Sequence, residues 1–461
     1  MTREFFDVPR QTPPKRSVPE RLGDWSEVET DLDGETLRAQ ASRCMDCGIP
    51  FCHTGCPLGN HVPDWNESVS EGATGDALQR LHATNNFPEI TGRICPAPCE
   101  DACVLALHGA PVTIRQIEKQ IADAGFAAGL VTPRPPSRES GRSVGVVGSG
   151  PAGLAAAQQL RRAGHQVTVY ERHDRPGGLM RYGIPDFKMD RAVLDRRLDQ
   201  LRAEGVVFRC GVEIGVDLPL QTLREEHDEV LLAVGAWRAR DLPLPGRELL
   251  GVHFALDYLV QANRRVAGLP IEAAIDVRDE VVLILGGGDT GADCLGTALR
   301  DGAKTVLHWH YKPPPAPERG EDAPWPFPPA ILHPSSSHDE GGERGWSVLA
   351  KAFVGDGRLR GILCVDVSWQ DGVMVELPET EREVPVDRVF LAVGYVGADA
   401  PWLDEASRLE GVTVCGDARV AASLVVTAIQ EGRLAARAID ERLSGRSRLT
   451  VLHDVAGLTG R

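Results

Sequence analysis

The apolar positions in the second half of the chain form short unbroken runs, separated by glycine turns and by alanine-rich segments. An apolar run at 144–147 leads into a glycine turn, an alanine-rich segment and a second apolar run that ends in Glu171. Residues 281–309 repeat this order of features. Short apolar runs bounded by turns are typical of buried parallel strands, and a helix between two of them is typical of a βαβ unit. The pattern predicts two such units, with further strands at 230–235 and 388–394.

The first part of the chain has a different character. Segments 75–83 and 113–125 are predicted to be helical. Segment 132–143 contains three prolines, a glycine and four charged residues, which predicts a linker between domains. A second proline-rich stretch, 312–334, is predicted to be an irregular loop. The chain thus divides into a helical amino-terminal module and a larger part built from alternating strands and helices.

Composition and charge narrow the class of protein. The 461 residues suffice for two or three domains, and 42% hydrophobic residues can build a sizeable core. A net charge of −16 argues against nucleic acid and anionic membrane surfaces as main partners. No segment approaches the ~20 apolar residues of a membrane span, and the first residues lack the apolar core of a signal peptide. These observations predict a cytoplasmic protein.

The cysteines are concentrated in the amino-terminal module. Seven of the 11 lie between residues 44 and 103, and the other four are expected to be core thiols. Clustered cysteines in a cytoplasmic chain indicate metal binding rather than disulfide bonds. The clustered residues are Cys44, Cys47, Cys52 and Cys56, followed by Cys95, Cys99 and Cys103.

Thiolates at this spacing suit either iron–sulfur clusters or zinc. Two cubane clusters need eight ligands, so a pair of them would require one ligand that is not a cysteine. Two zinc sites would also lack one thiolate, and His53 or His61 would have to complete one of them. Iron–sulfur clusters are the favoured interpretation, with structural zinc and unmetallated thiols as the alternatives.

The first glycine turn fits the pattern G-x-G-x-x-G, in which glycines let the backbone approach a pyrophosphate at a helix amino terminus. Its residues are Gly148, Gly150, Pro151, Ala152 and Gly153. Glu171 ends the next strand, where a carboxylate can accept hydrogen bonds from ribose hydroxyls and would repel a 2′-phosphate. This combination favours FAD over NADP, and Gly178 of a later glycine pair is expected at the same site. A turn that binds nothing is the alternative.

The second glycine turn has the same pattern and predicts an NAD(P)H site. Its residues are Gly286, Gly288, Asp289, Thr290 and Gly291. The following strand ends in His310 rather than an acid, so a 2′-phosphate would be tolerated. Lys312 and Arg319 are candidate cations to hold that phosphate, with solvated surface charges as the alternative for both. For Asp289 the alternative role is helix capping.

Near the carboxyl end, Gly416 and Asp417 follow a short apolar run. In FAD enzymes of this architecture such an aspartate binds the ribityl chain, and an ordinary turn is the alternative. The predicted fold class is α/β, with two nested Rossmann-like nucleotide-binding domains of the disulfide-reductase type preceded by a mainly helical iron–sulfur module. The predicted ranges are 1–135 for the iron–sulfur module, 136–270 and 386–461 for the two parts of the FAD-binding domain, and 271–385 for the NAD(P)H-binding domain.

Several segments together resemble the small (beta) subunit of bacterial NADPH-dependent glutamate synthase, over nearly the whole chain. They include CMDCGIPFCHTGCPLGNHVPDWNE, TNNFPEITGRICPAPCEDACVL, VTIRQIEKQIADAGF, GSGPAGLAAAQQL, GGLMRYGIPDFKM, GGGDTGADCLGTALRDGAK and SLVVTAIQEGR. The resemblance implies two [4Fe–4S] clusters whose ligands cross between segments. It implies one set formed by Cys44, Cys47, Cys52 and Cys103, and another formed by Cys56, Cys95, Cys99 and Glu118. An exposed helical acid is the alternative for Glu118.

The resemblance also implies a function. In this family NADPH reduces FAD, and electrons leave through the clusters to a large (alpha) subunit that makes L-glutamate from glutamine and 2-oxoglutarate. Two alternatives stay open: an NAD(P)H-dependent ferredoxin or sulfide oxidoreductase-type flavoprotein, and a flavin-free structural paralogue. The last is suggested by residues that differ from the family around Asp417, namely Val420, Ala421, Ala422 and Thr427. His310 also stands where the family usually has an acid, which leaves NADH open as the donor.

Overall fold

The computed structural model describes residues 5–321, 323–332 and 335–451 of the chain. Helices dominate up to residue 127, and strands alternate with helices from residue 143 onward. The helices are α1 (Val18–Leu22), α2 (Gly34–Ser42), α3 (Phe51–Gly55), α4 (Val62–Ser70), α5 (Thr74–Thr84), α6 (Pro88–Ile94), α7 (Pro98–Asp101), α8 (Ile114–Ala127), α9 (Pro151–Arg162), α10 (Leu179–Tyr182), α11 (Arg191–Ala203), α12 (Leu220–Glu226), α13 (Ala255–Val266), α14 (Asp289–Arg300), α15 (Ser336–Glu340), α16 (Leu403–Ala406), α17 (Asp417–Val420) and α18 (Val425–Ser444). A 3-10 helix at Val104–Leu107 lies between α7 and α8.

Within the described ranges, the strands form two parallel sheets of five strands, one antiparallel sheet of three and a two-stranded ribbon. The strands are β1 (Ser143–Val147), β2 (Gln166–Glu171), β3 (Val206–Cys210), β4 (Glu229–Leu232), β5 (Arg238–Ala239), β6 (Val252–Phe254), β7 (Val281–Leu285), β8 (Thr305–His310), β9 (Glu343–Trp346), β10 (Val348–Asp356), β11 (Arg358–Gln370), β12 (Val373–Pro385), β13 (Arg388–Leu391), β14 (Tyr395–Gly397) and β15 (Val412–Val414). The predicted α/β class, with a helical module before two nucleotide-binding folds, is confirmed.

The amino-terminal module is built from amphipathic helices. Helix α8 buries one apolar face, formed by Ile114, Ile117 and Ile121, whose spacing of three and four places them on one side. The helices predicted at 75–83 and 113–125 correspond to α5 and α8. The helical period was therefore a sufficient signal for these two elements.

The first parallel sheet has the strand order β15-β4-β1-β2-β3. The chain leaves this sheet after β4, builds the second sheet, and returns to place β15 beside β4. One nucleotide-binding domain is thus inserted into another, as the repeated sequence pattern predicted. All four residues of β4 are buried, because parallel sheets of this kind are covered on both faces.

The second parallel sheet has the order β6-β13-β7-β8-β9. Strands β6 and β13 pair with each other and lie outside the predicted range 271–385, so this sheet extends over 252–391. These strands have only three and four residues, too few to reveal by pattern which sheet they join. The end of the range predicted for the last domain, 452–461, lies outside the described residues.

An antiparallel sheet of β10, β11 and β12 was not predicted. Most positions of β12 are exposed, and its polar sequence offers no apolar alternation that would indicate a strand. The proline-rich stretch 312–334 contains no helix or strand in its described part, in agreement with the predicted irregular loop. Pro334, at its end, lies outside the described residues.

A buried ion pair joins the amino-terminal module to the first nucleotide-binding domain. Arg197 of α11 donates from Nε and Nη2 to the two carboxylate oxygens of Glu89 in α6, both at 2.7 Å. Their side chains are 1% and 0% exposed, and the bidentate geometry satisfies the charges that burial would otherwise penalise. Asn86 of the module donates to Gln158 and accepts from Arg433, both at 2.7 Å. These buried polar contacts fix how the module sits on the domain.

We expect Arg197→Ala to lower the free energy of unfolding by about 3–5 kcal/mol, because the Glu89 carboxylate would remain buried without its partner. Chemical denaturation at matched cofactor content measures this change. Arg202→Ala on the same helix is the control, since Arg202 and Asp199 form an exposed pair at 2.8 Å. An exposed pair contributes about 0–1 kcal/mol. Equal effects of the two substitutions would contradict the importance of the buried pair.

Candidate functional site

The first glycine turn opens onto a cleft to which three parts of the chain contribute. The turn and the end of β2 line one side, and residues 233–237 after β4 line another. Asp417 and the start of α18 close the carboxyl-terminal end. Ile94 and Pro96 of the amino-terminal module also line the cleft. Both residues are neighbours of Cys95, so the cysteine-rich module reaches the edge of the nucleotide site.

The three glycines of the first turn differ in what a side chain at each position would meet. Gly148 has φ 101°, and a Cβ there would lie 2.3 Å from the carbonyl oxygen of Ala233. A Cβ on Gly153 would lie 2.0 Å from the carbonyl oxygen of Gly148. A Cβ on Gly150, in contrast, would meet nothing within 4 Å. The outer two glycines are therefore required by the protein's own packing, whereas Gly150 leaves open the space into which a pyrophosphate would fit.

Neighbouring positions keep this space clear. Pro151 starts α9, whose N-cap Gly150 offers no side chain to the free backbone N–H groups, as suits an anion site. Helix α18 packs closely against the start of α9 at Gly432, where a Cβ would lie 2.1 Å from the carbonyl oxygen of Ala152. A Cβ on Gly178 would lie 2.8 Å from the Cα of Gly150. The structure thus brings the predicted residues of the first turn together with the later glycine pair.

Glu171 is buried at the end of β2 and lines the cleft. Its Oε2 accepts hydrogen bonds from the backbone N–H of Ser149 at 3.2 Å and from the Ser149 hydroxyl. Its Oε1 accepts from the backbone N–H of His173 at 2.9 Å. A carboxylate held beside the turn in this way suits ribose hydroxyls and would repel a 2′-phosphate, as FAD binding requires.

Asp417 lies at the opposite end of the same cleft. Its carboxylate accepts a hydrogen bond from the Ser423 hydroxyl at 2.6 Å, and burial raises its pKa. Gly416 has φ 65°, and a Cβ there would lie 2.7 Å from the Cβ of Ala152. Ala421 has φ 67°, a conformation that favours glycine, which the resembling family has at this position. The altered carboxyl-terminal segment therefore keeps a glycine-like backbone without the glycine.

The glycines of the second turn have the same pattern of close and open surroundings as those of the first. A Cβ on Gly286, which has φ 129°, would lie 2.1 Å from the carbonyl oxygen of Ala392, and one on Gly291 would lie 2.6 Å from His308 Nε2. A Cβ on Gly288 would meet nothing within 4 Å. The turn therefore leaves open the place where a second dinucleotide's pyrophosphate would lie.

The first residues of α14 connect the two sites. Gly288, not Asp289, is the N-cap of α14, so the capping alternative for Asp289 is wrong. Asp289 is exposed and lines the same cleft as the first glycine turn. Thr290 lies close enough to the Tyr395 hydroxyl of β14 to affect its pKa. The second nucleotide fold thus presents its helix start to the first nucleotide site.

Two histidines support the second turn, a feature that the sequence analysis missed. The backbone N–H of Ser335 donates to His338 Nδ1 at 3.2 Å, so His338 carries its proton on Nε2. His338 Nε2 donates to His308 Nδ1 at 3.2 Å, and His308 Nε2 donates to the carbonyl oxygen of Gly286 at 2.5 Å. Burial lowers the pKa of both histidines, which keeps them neutral and this chain of hydrogen bonds intact. No sequence motif indicated this chain of hydrogen bonds, because its residues come from separate strands and loops.

The cations predicted for the second site are placed differently. Lys312 is exposed in the turn directly after β8. Arg319 donates from Nη1 to the carbonyl oxygen of Ala323 at 2.9 Å and from Nη2 to that of Asp101 at 3.3 Å. The Arg319 guanidinium therefore holds the proline-rich loop against the amino-terminal module, and the structure does not bring it to the cofactor turn.

The seven clustered cysteines fall into two groups that cross between segments. One group lines a small cavity and consists of Cys44, Cys47, Cys52 and Cys103. The second group consists of Cys56, Cys95 and Cys99 with Glu118, and its members lie close enough to affect one another's charges. The two segments approach closely at Gly55, where a Cβ would lie 2.6 Å from the Cβ of Ala102. These groups are the same sets that the resemblance implies, and their role as ligands remains a prediction.

Glu118 is buried in α8, so the alternative of an exposed helical acid is wrong. Its Oε1 accepts a hydrogen bond from Asn85 Nδ2 at 2.9 Å and another from the Thr91 hydroxyl. Burial raises the pKa of Glu118 to about 8. A buried acid beside three buried thiols becomes favourable as an anion only with a positive centre nearby.

The donor chemistry of both groups fits iron–sulfur clusters. Burial raises the pKa of Cys52, Cys95 and Cys99, and that of Cys56 to about 11, so the thiols need a metal to become thiolates. The backbone N–H of Ala97 donates to Cys95 Sγ at 3.4 Å, as is common around cluster sulfurs. Among the described residues, no three His, Cys, Asp or Glu side chains are grouped as ligands of a single metal ion. The groups instead surround their space from several loops.

The remaining cysteines lie outside the module. Cys294, Cys364 and Cys415 are buried, as predicted for core thiols. Cys210 is only partly buried, which corrects its prediction as a core thiol. The reason is that β3 is an edge strand whose positions alternate between buried and exposed.

The fold and the site define a class: a pyridine-nucleotide flavoprotein oxidoreductase with an iron–sulfur module. Residues 21–130 match the family model for dihydropyrimidine dehydrogenase domain II, 4Fe-4S cluster. Residues 142–313 match the model for pyridine nucleotide-disulphide oxidoreductase. Among solved structures, Mycobacterium tuberculosis FprA in complex with NADPH is similar in fold, with a TM-score of 0.53 at 19% identity, covering 66% of this chain and 85% of FprA.

Curated relatives are similar over almost the whole chain. The glutamate synthase [NADPH] small chain of Mycobacterium tuberculosis strain H37Rv is 51% identical, covering 95% of both chains. The protein of the same name from Bacillus subtilis is 40% identical, covering 96% of this chain and 98% of its own. The glutamate synthase [NADH] of Saccharomyces cerevisiae is 41% identical over 96% of this chain, which corresponds to 22% of that protein. The chain belongs to the glutamate synthase small-chain family, which confirms the resemblance read from its motifs. No helix in the described ranges is long and apolar enough to span a bilayer.

We expect Cys47→Ser to reduce the bound iron by about half while the flavin content stays unchanged, since Cys47 belongs to only one of two four-ligand groups. Iron and flavin assays on the reconstituted protein measure both quantities. Cys210→Ser is the control, because Cys210 lies in β3 of the first nucleotide domain. An unchanged iron content in the Cys47 variant would contradict the ligand assignment.

We expect Gly150→Val and Gly288→Val to disturb the binding of different cofactors. Neither added side chain meets protein atoms at its Cβ, so both variants should fold, but each blocks its own pyrophosphate. Gly150→Val should lose FAD, whereas Gly288→Val should keep FAD and lose NADPH oxidation. Flavin absorbance and NADPH-dependent bleaching distinguish the two. Flavin loss in the Gly288 variant, or normal NADPH affinity there, would refute the assignment of the two turns.

Proposed function

We propose that this chain is the electron-input subunit of a glutamate synthase, in which NADPH is oxidised at FAD and electrons leave through two [4Fe–4S] clusters to a large subunit. When bound, FAD supplies the step that accepts a hydride and releases its electrons singly. The protein's own residues bind the nucleotides, orient them in one cleft and hold the clusters beside it.

One observation carries this proposal: both nucleotide folds and the cysteine module contribute to a single cleft. Gly150 and Gly178 of the first fold and Asp289 of the second line it together. Ile94 and Pro96, on either side of Cys95, line the same cleft. A flavin on the first turn would therefore lie between the nucleotide on the second turn and the group of cysteines that includes Cys95.

The residues that end the equivalent strands β2 and β8 indicate which nucleotide each glycine turn would bind. Strand β2 ends in the buried carboxylate of Glu171, which favours FAD at the first turn. Strand β8 ends in His310, a neutral imidazole where the first fold has a carboxylate, so this side chain does not repel a 2′-phosphate there. This supports NADPH as the donor, although relatives of similar identity are named for NADPH or for NADH.

The two cysteine groups support two clusters. Cys103 lies with the first group and Cys56 with the second, so each group draws on both segments of the module. Glu118 completes the second group to four donors, as two cubanes require. The module would then carry electrons away from the cleft in single steps, which matches the change from two-electron to one-electron transfer.

The proposed partner is a large (alpha) subunit that makes L-glutamate from glutamine and 2-oxoglutarate. Bacterial relatives are named small chains, and the match covers 95% and 98% of their own length. The yeast relative is much longer, and this chain corresponds to only 22% of it. There the equivalent segment belongs to the same polypeptide as the rest of the enzyme, which supports a stable association between the two parts.

An anaerobic titration of the reconstituted chain with NADPH tests the proposal. We expect near-stoichiometric NADPH to bleach the flavin absorbance, and added large subunit to yield glutamate from glutamine and 2-oxoglutarate. Bleaching without glutamate formation, but with reduction of ferredoxin, would favour the ferredoxin-type oxidoreductase. A protein that takes up no flavin would favour the structural paralogue.

A further inference from the structure

A row of three side chains extends outward from the second glycine turn. His310 lies against the turn, since a Cβ on Gly287 would be 2.4 Å from its Nδ1. The rings of His310 and Trp346 stack with centroids 3.9 Å apart. The guanidinium carbon of Arg344 lies 4.8 Å from the centroid of the Trp346 ring. Arg344 therefore lies beside the ring that stacks on His310, although in β9 it pairs with His308, two residues before the end of β8, and comes 53 residues after Gly291 in the sequence.

Arg344 has no carboxylate partner among the described residues. Its Nε is buried and has no hydrogen-bond partner within those residues. Other arginines beside the same sheet are paired, as Arg300 is with Glu340 and Arg388 with Glu280. Burial lowers the pKa of Arg344, and no acid in the described part of the chain offsets that cost. A half-buried, unpaired cation of this kind attracts an anion.

The groups that face Arg344 do not compensate its charge. They are His308, His310 and His338, each of which has its pKa lowered by burial first and also by the Arg344 charge. All three are neutral near pH 7, so these imidazoles bring no negative charge to the Arg344 guanidinium. A dianionic phosphate monoester is the ligand chemistry that suits such a site, through a bidentate contact with the guanidinium.

The position of Arg344 in the fold indicates which phosphate group it would bind. In a dinucleotide-binding fold, the end of the second strand meets the ribose 2′-position, where an acid binds a hydroxyl and a nearby arginine binds a 2′-phosphate. The first fold has Glu171 at this place, and the second has His310, with Arg344 on the adjacent strand β9 in register with His308 and in contact with Trp346. Contact with Trp346 holds the guanidinium in place before any ligand arrives.

We propose that Arg344 binds the 2′-phosphate of NADPH and sets the preference for NADPH over NADH. This inference rests on the proposed function, in which the second fold takes the nicotinamide nucleotide. Lys312 is exposed and Arg319 donates to loop carbonyls, so Arg344 is the candidate cation that is both half-buried and unpaired.

Arg344→Gln in the reconstituted full chain tests the inference. We expect the affinity for NADPH to fall roughly ten- to a hundredfold, as for a lost hydrogen bond to a charged group. The affinity for NADH should stay within about twofold, because NADH lacks the phosphate. Adenosine 2′,5′-bisphosphate should weaken in parallel with NADPH, and 5′-AMP should not change. Arg344→Lys should retain part of the affinity, since it keeps the charge without the fork.

Lys351→Ala is the matched control, because Lys351 is a cation on the neighbouring strand β10 that is paired with Glu376 at 2.7 Å. Equal losses of NADPH and NADH affinity in Arg344→Gln would indicate a structural role and overturn the inference. A loss of NADPH selectivity in Lys312→Ala but not in Arg344→Gln would overturn it as well.

The binding measurements with adenosine 2′,5′-bisphosphate test this inference separately from the proposed function. Wild-type protein that binds adenosine 2′,5′-bisphosphate through Arg344, but whose flavin NADPH does not bleach, would support the inference and contradict the function. Wild-type protein whose flavin is bleached equally well by NADH and NADPH would support the oxidoreductase and contradict the inference.

Discussion

The structure depends on one constraint, which is that two nucleotide sites and a cysteine-rich module must meet at a single cleft. Ile94 and Pro96 bring the module to the wall of that cleft, and Asp289 brings the second fold to it. The buried pair of Arg197 and Glu89 joins the module to the first nucleotide-binding domain. Electron transfer between separate groups requires such fixed proximity, so the costly burial of an ion pair is explained by the geometry that it secures.

The two glycine turns show how one local design serves two cofactors. In each turn, a Cβ on either outer glycine would collide with other protein atoms, whereas a Cβ on the middle one, Gly150 or Gly288, would meet nothing within 4 Å. Selectivity therefore arises outside the turns. The proposed determinants are Glu171 at the end of one strand and the row that ends at Arg344 beside the other.

Charge balance links the module to its metal. The buried cysteines and Glu118 have pKa values above their ordinary ones, so they are neutral in a module without a positive centre. Iron binding would release their protons and make cluster content pH-dependent, because the metal competes with protons for each donor. Folding of the loops and assembly of the clusters are in this sense one process. The αL conformation of Ala97, between Cys95 and Cys99, shows that these loops accept local strain to bring the sulfurs together.

The sequence by itself determined the helices α5 and α8, the two βαβ units with their glycine turns, and the family, because these depend on local periodicity and on contiguous motifs. It also indicated that two clusters would need an eighth donor, and the family resemblance pointed to Glu118. Only the tertiary structure decided that Glu118 is buried among cysteines, that Arg319 serves a loop, and that Arg344 stands beside His310 and Trp346. It also decided the short strands β6 and β13 and the exposed sheet of β10, β11 and β12. These features arise from pairings between residues far apart in the chain, and such pairings leave no periodic signal in the sequence around either partner.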